Sequence, residues 1–295
     1  MALSLEALYG FTDAFAERPH DVRGHQGAKE TAYNVRKLVQ GSELVDRLPE
    51  NVQDAYSLRC APQVLGAVRD ALRFITSTVS VEINGATDNP LIFLDLERDN
   101  KVISAGNFHG EPLAFAMDLL GIVVSEIASI AERRVFRLTT PELSNGLPSM
   151  LAVDPGLNCG YMMPQYTAAA LVSDNKTLAH PDSVDSIPTS ANQEDHVSMS
   201  ANAARHAREI IRNSEKVVAI EMLTAAQALD LRPPELRRGQ GTRVAHEVLR
   251  QHAERLERDR PFSGDIERVT ELVHSSRLLE AIAAEEDVLV EEYFL

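Results

Sequence analysis

Apolar residues recur every three to four positions along most of the chain, which is the spacing of helices that bury one face. The helices predicted by this pattern cover residues 2–16, 28–41, 62–79, 112–136, 163–179, 193–230, 241–257 and 264–284. Residues 18–27, 139–162 and 180–192 interrupt the pattern with Pro, Gly and polar residues, so we expect loops there. Helical periodicity therefore dominates the chain.

Residues 82–107 lack the helical period and are predicted to be irregular. Asp88-Asn89-Pro90 is typical of a turn, and residues 91–104 can form a short hairpin. Proline marks two helix boundaries, because Pro62 suits a first helical turn and Pro233-Pro234 cannot continue a helix.

Two of the predicted helices are unusually long. The helix at 112–136 is apolar on most sides, which predicts burial on several faces at the centre of a bundle. The helix at 193–230 would extend ~57 Å at ~1.5 Å per residue, so we expect it to serve an assembly of chains. Its apolar residues point to more sides than one small domain covers; they are Val197, Ile210, Ile211, Val217, Ile220 and Leu223.

These features predict an all-α fold, a long-helix bundle with short irregular β and loop insertions. Residues 1–295 are expected to form a single mainly helical domain, with core helices over about 1–232 and outer helices over about 233–295. The composition agrees, since hydrophobic residues make up 44% and aromatic residues only 5%, with no Trp. Such a core is built from Leu, Ile, Val, Ala and Met.

The formal net charge of −15 disfavours binding to nucleic acid or to an anionic membrane, because both need a basic face. No uninterrupted apolar stretch of about 18 residues occurs, so no membrane span is expected. Cys60 and Cys159 form neither a disulfide framework nor a zinc pattern. A reducing cytoplasm is the expected compartment.

The segment QDAYSLR is the first candidate site, because Gln53, Tyr56 and Arg59 are spaced i, i+3, i+6. On a helix these side chains share one side. Arg59 can bind a carboxylate with two hydrogen bonds, and Tyr56 can hydrogen-bond a reacting centre or move a proton. The same spacing also suits an ordinary amphipathic helix edge.

Glu194 is the second candidate, at the predicted start of the long helix. Ser190 and Gln193 have the spacing of a capping box, and an acid in a first turn is stabilised by the helix dipole. Glu194 can therefore serve helix stability alone, or act as an acid or base if it faces a pocket. A metal site with Asp195 and His196 is disfavoured, because consecutive helical residues point apart.

Asn107, Phe108 and His109 lie between glycines in SAGNFHGEP, where the backbone can approach a ligand closely. Phe108 can form an apolar wall, and His109 is expected to be satisfied by a backbone group. Phosphate loops of Walker or Rossmann type, Gly-x-Ser-x-Gly and HExxH are absent from the sequence. Hydride transfer, phosphoryl transfer and zinc hydrolysis therefore lose support.

Six segments in this order resemble the C-terminal part of histidine ammonia-lyases, in the aromatic amino acid lyase family. They are QDAYSLR, CAPQVLG, EINGATDNPLIF, GNFHGEP, DPGLNCGYM and SVDSIPTSANQEDHVSM. The resemblance runs from about Leu3 to at least Leu231. It implies the bundle of long helices that ammonia-lyases share with the fumarase and aspartase enzymes, and assembly as a homotetramer with sites built from several subunits.

The resemblance also implies deamination of L-histidine to urocanate and ammonia, using a methylidene-imidazolone group made from an internal Ala-Ser-Gly. Arg59 would hold the substrate carboxylate, Tyr56 and Gln53 would lie by the prosthetic group, and Phe108 with Asn107 would line the pocket. Glu194 would meet the imidazole and act as acid or base. Neither a metal nor a nucleotide is implied.

Ala-Ser-Gly does not occur in this sequence. We therefore expect the chain to match only a C-terminal part and to make no urocanate alone. It can be a truncated gene product, a partial gene sequence, or one subunit of a split enzyme that works with a separate N-terminal polypeptide. An inactive helical scaffold or regulatory subunit derived from an ammonia-lyase is the alternative. A lyase of the fumarase type is disfavoured, because Met163-Pro164 is followed by Gln165 and Tyr166 rather than by the expected lysine motif.

Overall fold

The computed structural model describes residues 1–48, 51–95 and 101–284. The helices in these ranges are α1 (Ala2–Ala7), α2 (Glu17–Arg23), α3 (Gln26–Leu38), α4 (Tyr56–Arg59), α5 (Ala61–Asn84), α6 (Glu111–Thr139), α7 (Met162–Leu178), α8 (Ser200–Asp230), α9 (Gln240–His252), α10 (Ser263–His274) and α11 (Arg277–Ala283). The strands β1 (Leu91–Ile92) and β2 (Val102–Ile103) pair antiparallel, with Leu91 opposite Ile103. The predicted all-α class and the short hairpin are both confirmed.

Two predicted elements near the start of the chain are wrong. The helix expected over 2–16 stops at Ala7, because Tyr9 has a positive φ of 55° and the chain continues into a 3-10 turn. The loop expected over 18–27 contains α2 instead. Pro19 lies in the first turn of α2, where a proline costs no helical hydrogen bond.

Two helices in the second half of the chain differ in their bounds from the prediction. The helix expected over 193–230 begins only at Ser200. The helix expected over 264–284 is divided into α10 and α11, because Ser276 adopts a left-handed conformation with φ 58°. Proline positions were more reliable, since Pro62 lies in the first turn of α5 and α8 ends at Asp230, ahead of Pro233-Pro234.

Helices α5 to α8 form the central bundle, in which α6 and α8 run parallel. The start of α6 meets the start of α8, since a Cβ on Gly110 would lie 2.7 Å from Ser200 Oγ. Farther along, Arg134 of α6 pairs with Glu221 of α8. We call these the Gly110 end and the Arg134 end of the bundle.

Helix α7 runs antiparallel to α6 and α8. Near its end, Asn175 donates to Ser214 Oγ at 3.2 Å and accepts from Asn213 at 3.0 Å. All three side chains are buried. Because buried polar groups need partners, this chain of hydrogen bonds specifies how α7 lies on α8.

Close approaches of small residues set two helix contacts. A Cβ on Gly27 of α3 would lie 2.1 Å from the carbonyl oxygen of Gly66 in α5. Gly121 of α6 similarly faces Ile210 and Ala207 of α8. Ala203 and Ala207 of α8 are both buried.

Burial differs from the prediction on both long helices. In α8, Ile210, Val217 and Ile220 are fully buried within one chain, so they do not support an assembly. In α6, by contrast, one side of the first half faces solvent, where Phe115 and Ile122 are exposed. Several of the exposed apolar residues lie on α5 and α6; they are Phe74, Val81, Ile83, Phe115, Ile122 and Phe136.

Helix α6 is long and apolar enough to cross a membrane by length and composition. It nevertheless carries Glu132 and Arg134, which are both buried, and packs between α5, α7 and α8. A central helix of a bundle passes the same compositional test.

The main core joins α1, α3, α8 and the outer helices α9 to α11. Gln227 in α8 links them, since its amide accepts from the backbone N–H of Leu256 at 2.9 Å and donates to a carbonyl oxygen. The division at residue 232 into core and outer helices stays a prediction. Residues 285–295 lie outside the described ranges.

Candidate active site

Tyr56 and Arg59 lie on α4, which is only one turn long. Gln53 precedes this helix and is exposed. The predicted single helical face is therefore wrong for Gln53, because Ala55 has extended backbone angles and the helix starts at Tyr56. Arg134 Nη1 donates to the carbonyl oxygen of Ser57 at 3.1 Å, which holds α4 at the Arg134 end of the bundle.

Arg59 is oriented by two contacts. Its Nε donates to the carbonyl oxygen of Asp54 at 2.8 Å, and its guanidinium lies 4.7 Å from the centre of the Tyr56 ring. Within the described ranges, the two Nη groups of Arg59 have no protein acceptor. They are therefore available for a carboxylate, beside a phenol that is 70% exposed.

Asn107 and Phe108 lie at the opposite, Gly110 end. Asn107 Nδ2 donates to the carbonyl oxygen of Ala86 at 3.2 Å, and Phe108 is 58% exposed. His109 Nε2 lies 3.1 Å from the carbonyl oxygen of His196, and the two imidazole rings stack with centres 5.6 Å apart. His109 is thus satisfied by backbone, as predicted, and it joins the Phe108 loop to the Glu194 loop.

Glu194 does not lie in the first turn of α8. Ser190, Ala191 and Asn192 have positive φ angles of 51°, 53° and 70°, which an α-helix cannot contain, so the predicted capping box is wrong. Instead Thr189 and Glu194 pair as an isolated β-bridge, and Thr189 Oγ1 donates to the Glu194 carboxylate.

The hydroxyl groups of Thr189 and Ser190 lower the pKa of Glu194, because they hydrogen-bond its charged form. The carboxylate is therefore ionised at neutral pH and is a hydrogen-bond acceptor for a ligand N–H. Sequence reasoning missed Thr189 as a partner and assigned Ser190 to helix capping. The Thr-Ser pair before Glu194 was the available signal.

The six candidate residues form two separate groups within one chain. From Gly110 to Arg134, α6 rises ~36 Å at ~1.5 Å per residue. Gln53, Tyr56 and Arg59 lie at one end of this distance, and Asn107, Phe108 and Glu194 lie at the other. These side chains therefore do not converge within a single chain, and their convergence in an assembly of chains stays a prediction. None of four cavities found among the described residues is lined by any of the six.

Metal ligands are not gathered at either end. Among residues 1–48, 51–95 and 101–284, no group of three or more His, Cys, Asp and Glu side chains is placed to hold a metal ion. The chemistry available from the chain is therefore a guanidinium, a phenol, amides, an apolar wall and an ionised carboxylate.

The model of the family described as aromatic amino acid lyase matches residues 1–251. The chain belongs to the aromatic amino acid lyase family. A curated relative, histidine ammonia-lyase of Caldanaerobacter subterraneus subsp. tengcongensis, is 54% identical over 291 residues, covering 98% of this chain and 56% of the relative. The chain thus spans about half the length of the curated relatives it matches.

Solved structures support the same fold. Histidine ammonia-lyase from Trypanosoma cruzi superposes with a TM-score of 0.88 at 42% identity, over 97% of this chain and 54% of that chain. Tyrosine aminomutase from Streptomyces globisporus superposes with a TM-score of 0.91 at 38% identity, over 98% of this chain and 58% of that chain. The predicted family and its long-helix bundle are confirmed.

Proposed function

We propose that this chain supplies part of the active site of an ammonia-lyase that converts L-histidine to urocanate and ammonia. The observation that carries the proposal is the exposure of two groups of site residues at opposite ends of α6. Neither group lines any of the four cavities found among the described residues. Side chains arranged in this way can form one site only between chains.

Copies of this chain are the partners that we propose, in a homotetramer. The exposed apolar residues of α5 and α6 support such packing, because large exposed apolar patches mark interaction sites. Phe115 and Ile122 lie on α6, the helix that separates the two groups. Assembly through this surface would bring the Arg59 group of one copy towards the Glu194 group of another.

Each group has a distinct task in the proposed reaction. The Nη groups of Arg59 bind the substrate carboxylate, and the Glu194 carboxylate accepts a hydrogen bond from the imidazole. Phe108 and Asn107 line the pocket, and Tyr56 is placed to exchange a proton at the reacting carbon or nitrogen. Glu194 favours histidine over other aromatic substrates, because a carboxylate pairs with an imidazole.

A methylidene-imidazolone group is the cofactor implied by the family. Tyr56 and Gln53 fit it as one wall, since both side chains are exposed and can hydrogen-bond a group presented from outside the chain. When bound, the group supplies the electron sink that the weakly acidic β-proton needs. Because Ala-Ser-Gly is absent from this sequence, another segment or polypeptide has to supply it.

We place the assembled protein in the cytoplasm, which suits two free cysteines, Cys60 and Cys159. The tyrosine aminomutase similarity raises a second outcome, in which ammonia is returned to the product. The appearance of urocanate, followed by its ultraviolet absorbance, distinguishes the two reactions. This chain alone is expected to produce none.

Mixing of variants tests the site between chains. In the complete protein that carries the electrophile, Arg59→Met and Glu194→Gln should each be nearly inactive. Assembling the two variants together should restore activity, because some sites then combine an intact Arg59 group with an intact Glu194 group.

The matched control mixes Arg59→Met with Tyr56→Phe. These residues belong to the same α4 turn, so every site keeps one defect and activity should stay low. If the Arg59 and Glu194 variants assemble normally but do not complement each other, the two groups do not form a shared site. If the unmodified complete protein makes no urocanate, histidine is not the substrate.

A further inference from the structure

An arginine-lined cavity lies where the end of α8 meets the turn after α3 and the start of α9. It has a volume of about 570 Å³. Its lining contains the guanidinium groups of Arg232, Arg237, Arg238 and Arg243 against a single carboxylate, Glu247. The chain as a whole has 29 basic and 44 acidic residues. A local excess of positive charge on such an acidic protein favours an anionic ligand.

Two of these arginines are neutralised by nearby acids. Arg237 Nη2 lies 3.0 Å from Glu43 Oε1, and Arg243 Nη1 lies 3.0 Å from Glu247 Oε1. Each pair brings one positive and one negative charge. The excess charge of the cavity therefore comes from Arg232 and Arg238.

Arg232 is only 8% exposed. Four hydrogen bonds from its guanidinium go to the carbonyl oxygens of Ala7, Ser144 and Asn145, and its Cζ lies 3.9 Å from the centre of the Tyr9 ring. In the described part of the chain it has no ion pair with a carboxylate. The Tyr9 hydroxyl also hydrogen-bonds the guanidinium, so Arg232 contributes an unpaired positive charge to the cavity rather than a free N–H donor.

Arg238 is weakly neutralised. Its Nη2 lies 3.6 Å from Asp230, a carboxylate that already binds His246 at 2.7 Å and Arg250 at 2.8 Å. One negative charge is thus shared by two arginines and a histidine. Arg238 also acts on the buried Glu6 carboxyl group, whose pKa is raised by burial, so these acids neutralise Arg238 only in part.

The cavity wall also holds an unpartnered acceptor. Gln240 Oε1 is buried and has no hydrogen-bond partner among the described residues. A ligand that satisfies this oxygen has to donate a hydrogen bond to it. An anion with two negative charges and one O–H group would complement both arginines and this amide.

We propose that this cavity binds a phosphate group with two negative charges, and the hydrogenphosphate ion in particular. Arginine recognises phosphate through paired N–H donors, and the two incompletely neutralised arginines match the two charges. The O–H of hydrogenphosphate donates to Gln240 Oε1. A phosphomonoester dianion has the same charge but lacks that donor, so it binds less tightly. This site is separate from the residues assigned to the lyase reaction.

Calorimetric titration of the purified chain with inorganic phosphate, at constant sodium chloride, tests the proposal. We expect saturable binding, which Arg238→Gln weakens at least about tenfold. Arg255→Gln is the matched control, because it removes the same charge from an exposed residue outside the cavity. Glu247→Gln should tighten binding, since it removes the one acid that lines the cavity. Circular dichroism verifies that each variant is folded.

Glycerol phosphate distinguishes the free ion from a phosphomonoester. Tighter binding of inorganic phosphate assigns the site to the free ion, and tighter binding of glycerol phosphate assigns it to a phosphomonoester. The proposal is overturned if neither anion saturates the chain below about 10 mM. It is also overturned if Arg238→Gln and Arg255→Gln weaken binding equally, or if Glu247→Gln fails to tighten it.

Discussion

Arg134 of α6 and Glu221 of α8 form a buried ion pair with two hydrogen bonds, Nε to Oε1 at 2.6 Å and Nη2 to Oε2 at 2.7 Å. Ser4 Oγ donates to the same carboxylate at 2.6 Å. Because Arg134 also binds the carbonyl oxygen of Ser57, this pair connects the end of the bundle to the helix that carries Tyr56 and Arg59.

Removing Arg134 should destabilise the protein strongly. Arg134→Met leaves the Glu221 carboxylate buried without its partner, which costs about 3–5 kcal/mol in the free energy of unfolding. Urea denaturation measures this change. Arg212→Met is the control, since Arg212 is exposed and its carboxylate partner lies 3.9 Å away, so we expect less than about 0.5 kcal/mol. Equal effects of the two variants would contradict the role of the buried pair.

Stability should fall in acid because of Glu221. Burial by itself raises the pKa of Glu221. The charge of Arg134 and of the N-terminal amino group, with hydrogen bonds from Arg134 and Ser4, outweighs burial and lowers the pKa from 4.5 to about 2. The folded-state pKa is thus below the unfolded one, so this contribution is complete above about pH 4.5 and is lost as the pH falls towards 2. The free energy of unfolding measured against pH should show this slope.

Glu221→Gln should flatten that part of the profile, because the glutamine does not titrate. Glu126→Gln, on an exposed position of α6, should leave the slope unchanged. An unaltered slope in Glu221→Gln would mean that another acid controls the acid sensitivity.

The pKa of Glu194 should rise when Thr189 is changed. Thr189→Val removes one of the two hydroxyl donors that favour the charged carboxylate, so the pKa moves up towards the ordinary glutamate value. A carbon-13 NMR titration of Glu194 in the purified chain measures it without any need for catalysis. Thr167→Val is the control, because Thr167 Oγ1 donates only to the carbonyl oxygen of Met163 within α7. If the pKa of Glu194 is the same in both variants, Thr189 does not act on this carboxylate.

Arg59→Lys should impair the complete enzyme although it preserves charge. Lysine cannot form the paired hydrogen bonds of a guanidinium, so kcat/KM for histidine should fall about tenfold to a hundredfold, chiefly through a higher KM. Steady-state kinetics measure the effect, with the exposed Arg212→Lys as control. Unchanged kinetics would show that Arg59 does not bind the substrate carboxylate.

Assembly of copies of this chain should depend on the solvent-exposed face of α6. Ile122 is 45% exposed, and Ile122→Glu places a charge in the apolar surface of α5 and α6, so we expect smaller species in sedimentation velocity. Val22→Glu is the matched control, since Val22 is 82% exposed on α2, away from that surface. If both variants keep the same mass, copies of the chain do not meet at Ile122.

Local sequence signals predicted helix boundaries well where no contact with a distant part of the chain opposed them. Pro62 and Pro233-Pro234 mark helix boundaries by removing an N–H donor, which is a property of the residue itself. The position of Glu194 was predicted wrongly because Ser190, Ala191 and Asn192 have left-handed backbone conformations. Their residue types do not predict that conformation. Their placement depends on packing of the Glu194 loop against His109, which lies far away in the sequence.

The family motifs predicted candidate site residues but not their distribution in space. Spacing along the chain tells which side chains share a turn, as for Tyr56 and Arg59. It does not tell that Phe108 lies at the other end of the bundle, because that follows from the direction of α5 and α6. The same limit explains why burial on α8 was misjudged, since Ile210 and Ile220 are covered by helices from other parts of the chain.

In the proposed assembly, helix α6 determines the distance between neighbouring catalytic centres. Its length sets how far the guanidinium contributed to one centre lies from the carboxylate contributed to the next. Inserting one helical turn would shift the two contributions by ~5.4 Å and put both centres out of register at once. If the chains assemble as proposed, the separation between the centres is therefore a property of this one helix.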